Sequence, residues 1–187
     1  MARRSDDRFV LGRVLNLLGQ AARMEGKYAE ASTLLEDSLA LARAGDHRGE
    51  VVWALGNLTW NVCRQGDLAR AAALLGEAVP LVRDFGALNR TAGTLFTTGD
   101  AAIQADRSRE GVRLVGAAFR VERYETMLFP DERDTHAASM ARARAALGDA
   151  AFEVAWAEGQ AMTDAHAFTE ATAVVEQIAT LADANQN

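Results

Sequence analysis

LNLLGQAARMEGKYAEASTLLEDSLALAR, residues 15–43, stands forty residues ahead of LGNLTWNVCRQGDLARAAALLGEAVPLVR, residues 55–83. Nine of the 29 aligned positions are identical, among them Leu15/Leu55, Leu18/Leu58, Gly26/Gly66, Ala31/Ala71, Leu35/Leu75 and Arg43/Arg83. A further shift of forty brings up residues 95–123, which keep Leu95, Leu114, Val115, Ala118, Val121 and Arg123 in register. One such match in a chain rich in alanine and leucine is weak, and a third copy at the same period is not. Self-similarity at 20–50 residues is the mark of a repeat architecture.

Each copy reads as a helical hairpin. In the first, Val14, Leu17, Leu18 and Ala21 recur at helical spacing until Glu25-Gly26, where glycine suits the residue just past a helix end. A second helix starts near Tyr28 and carries Ala31, Leu34, Leu35, Ser38 and Leu39 on one face. The small residue at Ala31, Ala71 and Gly111 marks a close helix crossing, since a large side chain there would hold the helices apart. Asp46-His47-Arg48-Gly49 and Asp84-Phe85-Gly86 separate the copies. One hairpin of this size cannot bury its apolar face, and stacked neighbours supply the missing surface.

The pattern resembles the tetratricopeptide repeat (TPR). Leu18-Gly19, Ala22, Gly26-Lys27-Tyr28, Ala31 and Leu35 match its motif, and the second copy keeps Leu58, Gly66-Asp67-Leu68, Ala71, Leu75 and Ala78. Thr59 replaces the family's glycine, Asp106 replaces the turn glycine of the third copy, and arginine stands where the family has proline. The period of forty exceeds the family's usual length. That lengthening, and Ala145–Phe152 followed by Ala155–Thr163, look like the C-terminal repeat region of large bacterial LuxR-type ATP-dependent transcription regulators. The resemblance implies an all-α, right-handed α-solenoid forming one domain over 1–187. Its repeats fall at about 7–44, 48–86, 88–126 and 131–162, with a capping helix over 164–185. That last helix begins after Thr163-Asp164, either of which can cap it, and turns Ala167, Ala171, Val174, Ile178 and Leu181 inward. Glu170, Gln177 and Asp183 point outward. Pro80, four residues beyond Gly76, predicts a bend at 76–80.

Composition narrows the function. The 20 basic and 26 acidic residues leave a net charge of −6, which argues against direct nucleic-acid binding through a basic face. The single cysteine, Cys63, excludes an internal disulfide framework. No apolar run approaches a membrane span, and no apolar stretch of signal-peptide type follows Met1–Asp7, so a cytoplasmic location is expected. No phosphate-binding glycine loop, dinucleotide fingerprint, zinc-protease motif or nucleophile elbow is present. His47, His136 and His166 read as loop or helix-surface residues, and no cofactor or metal is expected.

In the resembled family, ligands lie in the concave groove formed by the first helix of each hairpin. Carried across by position, the partner-binding residues are Arg13, Asn16, Gln20 and Arg23, then Trp53, Trp60 and Arg64, then Phe96 and Asp100. Trp53 and Trp60 are seven apart and share a helix face. They are equally readable as packing between adjacent helices. The lysine pattern of chaperone-tail clamps is absent. The resemblance implies a non-enzymatic protein–protein interaction module of bacterial transcriptional regulation, holding a protein or peptide. A homo-oligomer formed through the N-terminal repeat is a further expectation. The alternative is a sensor or self-association domain that takes a small effector inside the superhelix.

Overall fold

The structure is a computed structural model that describes residues 2–85, 88–120 and 128–184, with backbone alone at its margins. Val121, Arg123 and Gly86 of the expected pattern, and the side chain of Asp183, lie outside the described residues. Nine helices are present among them, and no strand. They are α1 (Ala2–Met24), α2 (Tyr28–Ala44), α3 (Arg48–Arg64), α4 (Leu68–Phe85), α5 (Leu88–Gln104), α6 (Ser108–Ala118), α7 (Pro130–Leu147), α8 (Asp149–Ala161) and α9 (Asp164–Ala184). The first six pack in succession as hairpins, α1 on α2, α3 on α4 and α5 on α6, with α2 against α3 and α4 against α5. This is the expected all-α solenoid.

The forty-residue period comes from twenty-residue halves. Helices α2, α3 and α5 each have 17 residues, and a three-residue turn separates α2 from α3 and α3 from α4. Those turns share one geometry. Gly26 and Gly66 both have φ of 76°, and Asp46 and Asp106 reach the same left-handed region at 52° and 61°. In each, the next residue's N–H donates to a carbonyl five residues back: Lys27 to Ala22, His47 to Ala42, Asp67 to Val62 and Arg107 to Ala102. This is the Schellman closure, which satisfies helix carbonyls that would otherwise lack a donor. Asp106 thus does the work of the glycine missing from the third copy, since a short polar side chain tolerates this backbone region.

The small residues sit at the crossings. Ala31 and Ala71 are fully buried. A Cβ on Gly19 would lie 2.7 Å from Leu35 Cγ. At the α5–α6 crossing a Cβ on Gly99 would lie 2.7 Å from the Gly111 carbonyl oxygen, and one on Gly111 as close to that of Gly99. Leu35, Leu55, Leu58, Leu75, Leu95 and Leu114 form the core that runs through all three pairs.

Helix α4 is continuous through Pro80. Gly76 and Pro80 are both exposed, so water can serve the carbonyl that proline leaves without a donor.

The helices after α6 pack differently from the first three pairs. Helix α8 seats on α6 more extensively than on α7, which is joined to it through Gly148. Glycine allows this approach: a Cβ on Gly159 would fall 2.1 Å from the Arg113 carbonyl oxygen, and one on Gly116 would fall 2.8 Å from that of Trp156. Helix α9 lies along α4 and also touches α5 and α6. Thr163 is its cap, Oγ1 accepting from the His166 N–H at 3.3 Å. Ala167, Ala171, Val174 and Ile178 are buried as expected, whereas Leu181 is exposed and Glu170 turns in to pair with Arg113 at 2.9 Å. The stripe Val14, Leu17, Leu18 and Ala21 of α1 also faces solvent, while Asn16, Gln20, Ala22 and Arg23 are buried. No preceding helix covers that stripe among the described residues.

Candidate functional site

The first helices of the hairpins, α1, α3 and α5, form one face of the stack, and α7 lies against part of it. Five contacts help fix its place. Arg23 of α1 reaches Asp131 and, at 3.0 Å, Glu132 in the first turn of α7. His136 packs against Phe96 of α5, with ring centres 5.4 Å apart. Ser139 Oγ donates to Asp100 Oδ1. Arg142 pairs with Asp106 at 2.6 Å. Local sequence helps α7 start here: Pro130 occupies its first position, and the Phe129 N–H donates to Glu132 Oε2 at 2.9 Å.

Beside the first turn of α7 the face stays open, as a cavity of about 640 Å³. Its walls are α1 (Arg13, Gln20), α3 (Glu50, Trp53, Gly56, Asn57, Trp60) and α5 (Arg90, Gly93, Thr94, Phe96, Thr97), closed by Leu128, Phe129 and Glu132. Trp60 stacks on Phe96 with ring centres 5.4 Å apart and 25° between planes. The aromatic series continues through His136, Phe119 and Trp156, reaching from the cavity to α8. Arg13 stands 5.9 Å from the Trp53 ring centre, with its Nε 4.0 Å from Glu50 Oε2. Arg90 is half-buried in the wall. Burial lowers its pKa, Glu50 works against this, and Arg13 adds to it. The result is an aromatic floor with a mixed-charge rim.

The structure divides the sequence-predicted residues into three groups. Arg13, Gln20, Trp53, Trp60 and Phe96 meet at the cavity, with Trp60 and Phe96 almost wholly buried. Asn16, Arg23 and Asp100 are buried in polar contacts within the chain. Asn16 Oδ1 accepts from Gln20 at 2.9 Å and from Asn57 at 2.6 Å. Asp100 accepts from Ser139 and, at 2.7 Å, from Gln104. Burial pushes its carboxyl above the usual range, against the pull of those donors and of Arg64. Arg64 itself is exposed and outside the cavity lining. Sequence reasoning missed Glu50, Arg90, Thr94, Thr97 and the Leu128–Glu132 wall. Glu50 and Arg90 lie on the faces already chosen, three residues before Trp53 and Gly93, and that spacing was the available signal.

Cys63 is buried on α3, and burial pushes its thiol far up, which keeps it un-ionised. Among the described residues no three His, Cys, Asp or Glu groups gather as a metal site, and no helix is long and apolar enough to cross a membrane.

The geometry defines a helical-repeat protein with a partly filled inner face. A family model described as tetratricopeptide repeat matches residues 10–84, which span most of α1 through α4. With the all-helical stack of paired helices, that match shows a likeness to the tetratricopeptide repeat over the first two hairpins. Such repeats are generally non-catalytic and generally mediate protein–protein interaction. Neither the curated proteins nor the solved structures return a match.

Proposed function

We propose that this chain is a non-catalytic interaction module that holds a short segment of a protein partner in the open stretch of the groove beside α7. The cavity of about 640 Å³, with Trp53, Trp60 and Phe96 at its floor and Arg13 and Arg90 at its rim, carries the reading. Aromatic and arginine side chains are the usual energetic anchors of protein interfaces, and a preformed wall lowers the ordering cost of binding. Because α7 covers Arg23 and Asp100, the partner engages Arg13, Trp53 and the α5 threonines, not the whole length of the face. The resemblance of 145–163 to LuxR-type regulators supports a place in bacterial transcriptional regulation, in the cytoplasm.

Panning a peptide library against the chain tests this. Trp53→Ala and Arg13→Glu should each lower capture at least tenfold while leaving the melting temperature nearly unchanged, because both side chains are partly exposed. Unchanged capture by both variants would overturn the proposal. The same volume falls within the ~300–1,000 Å³ range of small-molecule pockets, which favours a small effector as the second reading. Tryptophan emission that shifts with a metabolite mixture and not with panned peptides would select it.

A further inference from the structure

The repeat register identifies a second surface. Leu11, Val14 and Leu18 on α1 are 49%, 44% and 51% exposed. Forty residues on, Val51, Ala54 and Leu58 of α3 are at most 8% exposed, covered by α2. The third copy places Thr91, Thr94 and Thr98 at the same positions, all buried. The uncovered α1 positions are therefore helix-docking positions of the solenoid. With Val10, Leu17 and Met24, also about half exposed, they form one continuous stripe along the helix. Together they present on the order of 500 Å² of apolar surface, the size of the largest patch a single chain usually leaves, which is often functional.

We infer that this stripe is the contact between two copies of the chain, formed by antiparallel packing of α1 on α1 about a two-fold axis near Leu17. The stripe is self-complementary in that arrangement. Val10 lies over the partner's Met24, and Leu17 meets its own counterpart. Asp7, exposed at one end, comes opposite the partner's Lys27, which lies just beyond the other end and already pairs with Glu25 of its own chain at 2.7 Å, so the charges there add little to the pairing. Two such faces bury about 1,000 Å², the lower bound for a specific interface, and two-fold pairing is the commonest closed arrangement. None of the six stripe residues lines the groove cavity, although Arg13 at its rim lies three residues after Val10 and four before Leu17.

Sedimentation velocity and cysteine trapping of the full chain test the pairing. The chain should sediment as a dimer at micromolar concentration, and Leu17→Glu should shift it to monomer with at least a tenfold weaker association. Leu17→Cys should give a disulfide-linked dimer on mild oxidation, since Cys63 is buried and silent. Melting curves confirm that the variants fold, and Leu17→Ala provides a milder second variant that should also weaken pairing. A monomer at all concentrations overturns the inference. So does a dimer that Leu17→Glu and Leu17→Ala leave intact. Growth beyond the dimer, with Leu17→Cys linking to Val154→Cys on the outward face of α8, also overturns it in favour of head-to-tail stacking.

Discussion

Asp46 and Asp106 show at single-residue scale how a repeat tolerates change. Both hold a positive φ that glycine accepts freely and alanine does not. Asp46 is exposed, so its substitutions report the backbone directly. Asp46→Ala should cost about 1 kcal/mol, and Asp46→Gly should be neutral or stabilising, as read by chemical denaturation. Equal effects of the two would contradict the left-handed turn. Gly111→Ala should cost more, about 2–3 kcal/mol, because its Cβ would meet the fully buried Ile103 side chain at 2.5 Å and the Gly99 carbonyl oxygen, part of a backbone that cannot yield, at 2.7 Å. Trp60→Ala should cost about 3 kcal/mol through lost packing on Phe96, which separates its structural role from that of the exposed rim.

Asp100 gives the same scale a pH signature. Its folded-state pKa is raised, chiefly by burial, so its stabilising contribution is full below the unfolded carboxylate range. That contribution is lost as pH rises through the folded value. Glu132 and Glu170 are raised for the same first reason and share the sign. The unfolding free energy of the wild type should therefore gain on that of Asp100→Asn as pH falls from neutral to mildly acidic. Parallel profiles would contradict a buried, titrating Asp100.

At the scale of elements, α7 is held by polar contacts at its start and by an apolar seam further along, where Met140, Ala143 and Leu147 meet Ile103, Val112 and Phe152. Its fully described buried positions are Thr135, Ser139 and Ala143, and its firmest tether is the buried Arg23 between Asp131 and Glu132. Removing one member of a buried ion pair typically costs ~3–5 kcal/mol because its partners keep their desolvation penalty. Asp131 and Glu132 retain some solvent access, so Arg23→Ala should fall at or below the lower end. Hydrogen exchange should show the loss as faster exchange in α7, with α3 and α4 unchanged. Uniform acceleration across all helices would mean that α7 is an inseparable part of the core.

The same scale shows what could be read from residues alone. The turn glycine, present twice at Gly26 and Gly66, and the small residue, present three times at Ala31, Ala71 and Gly111, are local signals, and they place the first six helices. The seat of α7 rests on Arg23 meeting residues 108 and 109 positions later, a pairing with no local pattern. The seat of α8 rests on Gly116 and Gly159, which in sequence look only like weak spots in helices. The candidate site is divided accordingly. Trp53, Trp60 and Phe96 follow from helix phase, whereas the wall at Leu128–Glu132 depends on where α7 lands.

For the whole molecule, the stack supplies two separate surfaces: an inner face narrowed to a cavity by its own helix, and an uncovered outer stripe on α1. Their independence is itself testable, since Leu17→Glu should abolish pairing without lowering peptide capture, and Trp53→Ala should do the reverse. The measurement that bears most directly on the account is hydrogen exchange with and without a peptide selected by panning. Slowed exchange confined to α3, α5 and the first turn of α7 is the expected result. Slowed exchange confined to α8 and α9 would place binding elsewhere and contradict it.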